Sequence, residues 1–127
     1  MAFDVVTTHH RAADRWRRAL ASWAIPAPIL DAAVSFPYEM DPSLFRPATR
    51  PPSTPTLSTT RAAEALSGSG SVIDVGCGGG AATMALADRV RSAMGVDQSA
   101  GMLDLFVAEA SARGIDARAI EGSWPDV

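Results

Sequence analysis

The chain has 127 residues and a net charge of -3, with a pI near 5.2. That is one domain's length and the wrong sign for holding nucleic acid by bulk electrostatics. Apolar residues at 47% and charged residues at 20% support a buried core rather than wholesale disorder. One Cys cannot close an internal disulfide, no run approaches the roughly 20 apolar residues of a membrane span, and the N-terminus lacks the pattern of a signal peptide, so the expected location is the cytoplasm.

Residues 1–40 read as a helical segment. Ala12, Ala13, Trp16, Leu20, Trp23 and Ala24 recur at helical spacing, with Arg11, Arg15, Arg17 and Arg18 mostly on other faces. Thr8 is the expected cap and Pro26 the stop, and a second short helix is expected from Pro28 to about Val34, ended by Pro37. Two helices packing on a larger body is the plain reading; a basic helix for a membrane or an acidic partner is the alternative. Residues 41–56 carry Pro42, Pro47, Pro51, Pro52 and Pro55 among Ser and Thr, and read as a linker without regular structure.

Residues 57–127 alternate between helix and strand. Leu57 to Leu66 fits a helix, Ser71 to Val75 a β-branched strand, Gly76 to Gly80 a loop, and Ala81 to about Val90 a helix. Ala93 to Val96 is a second strand ending in Asp97. Ser99 caps a helix with Met102, Leu103, Phe106, Val107 and Ala110 on one face, Gly114 ends it, and Asp116 to Ile120 is a third strand. This alternation predicts βαβ units, with the three strands parallel and side by side in chain order.

The chemistry concentrates in Val72-Ile73-Asp74-Val75-Gly76-Cys77-Gly78-Gly79-Gly80-Ala81. A strand enters a glycine loop and leaves as a helix, so a ligand can approach backbone N–H groups with no Cβ in the way. Asp97 follows Gly76 by about 20 residues, the spacing at which a carboxylate reaches a ribose diol. Gly76-x-Gly78-x-x-Ala81 also satisfies the Ala variant of the dinucleotide fingerprint. Asp74 argues the other way: a carboxylate there repels a pyrophosphate but attracts a ligand carrying an ammonium and a sulfonium. The physics prefers S-adenosylmethionine over NAD.

Asp74-Val75-Gly76-Cys77-Gly78-Gly79-Gly80, Gly95-Val96-Asp97-Gln98-Ser99 with Gly101-Met102-Leu103 after it, and the weaker Glu121-Gly122-Ser123-Trp124-Pro125 resemble the motifs of the class I, seven-stranded, S-adenosylmethionine-dependent methyltransferases. The resemblance covers about residues 57–127. It implies a Rossmann-like α/β fold of which this chain holds the first three strands, preceded by N-terminal helices, and so a truncated methyltransferase fold. It also implies cofactor roles. Gly76 and Gly78 would line the methionine and ribose portion, Asp74 would face the amino-acid end, and Asp97 would accept from the ribose hydroxyls. Gln98 and Met102 would border the adenine, with Ser123 and Trp124 on its other side. Ser123 departs from the acid that many members carry there. N-terminal helices often form a lid in this family, which would enlist Trp23 and Tyr38.

The implied reaction is an in-line displacement at a sulfonium methyl, with positioning as the enzyme's main contribution. No catalytic base can be named. His9 and His10 are adjacent and point about 100° apart on a helix, which does not make a metal site. Cys77 has no activating base beside it. The expected acceptor is a small molecule. A non-catalytic cofactor-binding or dimerising module and an NAD-dependent oxidoreductase fragment remain as alternatives. With only three of seven strands, the first strand is expected to have an open apolar edge suited to self-association, and the chain by itself is expected to be inactive.

Overall fold

The computed structural model describes residues 5–35, 39–50, 53–66 and 68–127. The expected Pro37 stop and the lid residue Tyr38 lie outside the described residues. Two compact units are present, Met1–Glu39 and Met40–Val127.

The first unit holds α1 (Val5–Trp23) and α2 (Ala27–Ala32). Helix α1 begins three residues before Thr8, so Thr8 lies inside the helix and is not its cap. Helix α2 starts directly after Pro26 and carries Pro28 in its first turn, where the missing N–H has no intrahelical partner to lose. It ends at Ala32 rather than near Val34, with Ala33 already extended.

In the second unit the linker expectation meets a regular element. Pro42–Phe45 forms a 3-10 turn whose start is capped by Asp41, the carboxylate accepting from the Ser43 N–H at 2.9 Å. Helix α3 (Leu57–Ala65) is capped by Thr56, whose hydroxyl accepts from the Thr59 N–H. Then follow β1 (Gly70–Val75), α4 (Ala81–Met84), β2 (Val90–Asp97), α5 (Ala100–Ala112) and β3 (Asp116–Glu121). The strands form a parallel sheet in the order β1-β2-β3, as their alternation with helices predicts.

Helix α4 is a correction. It stops at Met84, the chain tightens into i→i+3 turns through Leu86, Ala87 and Arg89, and Val90 opens β2. The apolar run Met84, Leu86, Val90 that resembles a helix face is buried from three different backbone settings. Helix α5 follows its prediction at both ends, with the Ser99 hydroxyl accepting from the Met102 N–H at 3.3 Å.

The core gathers Cys77, Met84, Leu86, Val90, Ala93, Leu103, Phe106, Ala110 and Ile115, with Phe106 wholly buried. Ala62, Ala63 and Leu66 pack against it from the α3 side. The other sheet face is bare: Ile73 is 69% exposed and Val75 47% exposed. Burial alternates along β1 because successive side chains point to opposite faces.

Candidate functional site

The site is built at the C-terminal ends of β1 and β2, where ligands bind in parallel sheets. Val75 pairs with Val96, and the Val96 carbonyl then accepts from both Gly76 N–H at 2.8 Å and Cys77 N–H at 3.1 Å. The loop therefore leaves the sheet only after one extra rung. Gly76 and Gly78 hold φ of +72° and +50°, and a Cβ at either would meet nothing within 4 Å. The backbone conformation demands glycine there, and the space beside it is open to a ligand.

Two carboxylates stand at the ends of the strands that carry this loop. Asp74, half-buried at the end of β1, accepts from the Thr83 hydroxyl at 2.6 Å. Asp97, half-buried at the end of β2, accepts from Gly78 N–H at 2.9 Å through one oxygen and from Ser99 N–H at 3.0 Å through the other. A carboxylate offers about four acceptor positions, so both acids keep capacity for a ligand. Cys77, in the loop, is 7% exposed, and its Sγ and the Phe106 ring both close against Gly95. Burial, reinforced by the negative charges of Asp74 and Asp97, pushes its thiol up to about 12.

The remaining predicted residues follow Asp97 or the end of β3 in the chain. Gln98 is exposed, and its amide Nε2 lies 3.5 Å from the Ser123 hydroxyl. The Asp97 carbonyl accepts from Gly122 N–H at 2.9 Å, which draws the Ser123–Trp124 turn toward the end of β2. Trp124 is 48% exposed, whereas Met102 is buried at 8%. The structure thus brings Gly78, Asp97, Gln98 and Ser123 into one chain of contacts and sets Asp74 beside the helix that follows the loop. Among the described residues, no cluster of His, Cys, Asp and Glu is arranged to hold a metal, and no helix is long and apolar enough to cross a membrane.

Two participants are absent from the sequence reading. Thr83, 3% exposed, fixes the Asp74 carboxylate. Its signal was an isolated hydroxyl in an otherwise apolar first turn. The second is the backbone of Phe45, whose carbonyl abuts the position a Cβ on Gly79 would take. Nothing in a Pro-rich stretch announces that contact.

A methyltransferase-domain family model matches residues 72–127. A comparison with curated proteins finds no match. Among solved structures, the chain is similar to the YcgJ protein of Bacillus subtilis at 23% identity, covering 52% of this chain and 30% of that one with a TM-score of 0.43. It is also similar to a precorrin 8w decarboxylase from Methanobacterium thermoautotrophicum at 22% identity, covering 63% and 46% with a TM-score of 0.43. A TehB-like SAM-dependent methyltransferase from Corynebacterium glutamicum shares 17% identity over 92% of this chain and 46% of that one, with a TM-score of 0.41. The chain therefore spans less than half the length of each of these three proteins. The stretch that matches the methyltransferase-domain model, residues 72–127, holds the glycine loop, both carboxylates and nearly all of the three parallel strands described above.

Proposed function

We propose that this chain is the cofactor-binding half of an S-adenosylmethionine-dependent methyltransferase that acts on a small-molecule acceptor in the cytoplasm. One observation carries the reading: two left-handed glycines with open space beside them follow closely on Asp74 and are tied through Gly78 N–H to Asp97, so two carboxylates stand at the strand ends that carry the loop. Paired negative charge beside a bare backbone disfavours a pyrophosphate and favours a cationic ligand with hydroxyls to donate.

When bound, S-adenosylmethionine supplies an electrophilic methyl group on a sulfonium that leaves as a neutral thioether. The chain's own residues bind and orient. Asp74, held by Thr83, offers its remaining lone pairs to the ammonium of the amino-acid end. Gly76 and Gly78 let the ligand lie against the backbone. Asp97 accepts from the ribose hydroxyls while its other positions brace the loop. Gln98 and Ser123, in contact with each other, edge the adenine, with the exposed Trp124 ring available to stack and Met102 supplying apolar packing behind it. Positioning of this kind can lower a displacement barrier by about 7–11 kcal/mol at best.

The open edge and exposed Ile73 and Val75 of β1 support pairing with a further strand, from a longer chain or a second copy. In domain terms the proposal keeps a helical segment at 1–40, a connecting segment at 41–56 and the cofactor-binding portion at 57–127. Calorimetric titration with S-adenosylhomocysteine and with NAD tests the function. Binding of the first and not the second is expected; binding of NAD alone overturns the reading.

A further inference from the structure

The stretch between Asp41 and Ala48 is strapped across the wall of the cofactor site. Its 3-10 turn places the Phe45 carbonyl against Gly79 of the glycine loop and the Pro42 ring 2.8 Å from where a Cβ on Gly101 would stand, at the start of α5. Pro47 is buried. Both glycines are therefore places where the strap's approach leaves no room for a side chain.

What holds the strap is a charged cluster further along α5. Glu109 is 7% exposed. One of its oxygens accepts from Arg46 Nη1 at 2.5 Å and the other from Arg113 Nη1 at 2.6 Å. The second arm of Arg113 donates to the Ala48 carbonyl at 3.1 Å. A buried carboxylate with both oxygens taken by guanidinium groups is satisfied and directional. Here it ties the strap to the helix through one side chain and one backbone carbonyl. Glu109 lies eight residues beyond Gly101, about 12 Å along the helix axis. Its link to the glycine loop runs through Arg46 and the strap.

We propose that Glu109 is a positioning residue for the cofactor: with Arg46 and Arg113 it clamps the Asp41–Ala48 strap, and the strap in turn holds the glycine loop and the start of α5 in the binding geometry. The ligand part of this inference rests on the cofactor reading above; the mechanical part does not.

Arg46→Ala is the variant of choice, because the Arg46 side chain is 64% exposed and its loss leaves the core intact. Two measurements decide. Amide hydrogen exchange, in the absence of ligand, follows residues 41–48 and 76–80; calorimetry follows S-adenosylhomocysteine. Arg46→Ala is expected to speed exchange several-fold in both segments and to weaken ligand binding three- to tenfold, with Arg46→Lys restoring both to within about twofold of wild type, the ordinary spread of a retained surface ion pair. Faster exchange confined to 41–48, with loop and affinity unchanged, overturns the proposal, as does unchanged exchange at 41–48. Wild-type chain that fails to bind S-adenosylhomocysteine overturns the cofactor reading instead, and the exchange coupling still decides the clamp.

Discussion

Replacement of Asp97 separates a ligand-binding acid from a structural one, because the structure shows it bracing the loop and the proposed function gives it the ribose as well. Its carboxylate accepts from Gly78 N–H at 2.9 Å and Ser99 N–H at 3.0 Å. Hydrogen bonds to a charged group contribute about 1.5–3 kcal/mol each, and partial exposure argues for the low end, so Asp97→Ala is expected to cost about 3 kcal/mol. Asp97→Asn keeps one acceptor oxygen but turns an N–H toward the other donor, so a cost of about 2 kcal/mol is expected. Urea unfolding followed by circular dichroism gives both numbers. The same oxygens are proposed to accept from a ribose diol, so Asp97→Ala should also weaken S-adenosylhomocysteine at least about tenfold, or 1.4 kcal/mol. Amide exchange at Gly78 resolves the two effects. Faster exchange at Gly78 with unchanged ligand affinity would reduce Asp97 to a loop brace and refute the ribose assignment. Unchanged exchange and unchanged affinity would refute both.

Three further outcomes follow from the same geometry. Cys77, buried and pushed up to about 12, should resist thiol reagents in the folded chain up to about pH 9, where roughly one thiol in a thousand is ionised, and should react promptly in urea. Thr83→Val deletes the 2.6 Å bond to Asp74 and is expected to cost about 1–2 kcal/mol in urea unfolding, with Thr83→Ser recovering most of it. The Arg113 guanidinium bonded to Glu109, aided by Arg46, holds that carboxyl below its ordinary value of 4.5. A depressed acid contributes stability above its unfolded pKa and loses it as pH falls through the folded one. The gap in thermal midpoint between wild type and Glu109→Gln should therefore be constant from about pH 7 to about pH 5 and close below about pH 4.

How much of this was legible in the sequence depended on where the information sat. The strand–loop–helix unit announced itself because left-handed backbone at Gly76 and Gly78 can be met cheaply only by glycine. Asp97 and Ser99 were legible because an acid at a strand end and a hydroxyl at a helix start answer local donors. The parallel order of three strands followed from their alternation with helices. Helix α4 misled, since Ala81 to Val90 is apolar at a spacing that a helix and a turn-then-strand both satisfy. The 41–48 strap was illegible for a different reason. Prolines mark where regular structure stops, and what such a segment packs on is set by tertiary contacts: Arg46 meets Glu109 across 63 residues of sequence and Arg113 meets Ala48 across 65. Leu105 and Glu109 are buried on α5 outside the face its periodicity predicts, and Glu109 is the residue the strap's Arg46 reaches.

The glycine loop shows why such remote contacts matter to a binding site. Ordering a residue's backbone costs about 1–2 kcal/mol, and glycine loses more freedom than any other residue. A loop with four glycines in five positions would charge that cost to its ligand if it were loose in the free chain. Here the cost is met before any ligand arrives. The Val96 carbonyl takes two loop N–H groups, Asp97 takes a third, the Cys77 carbonyl takes that of Gly80, and Phe45 closes over Gly79. These partners come from the neighbouring strand, from the loop itself and from the strap. Under the proposed function, affinity is therefore a property of the folded second unit rather than of the motif, and a peptide carrying residues 70–97 alone should bind the adenosyl ligand far more weakly than the whole chain despite containing every loop glycine and both acids.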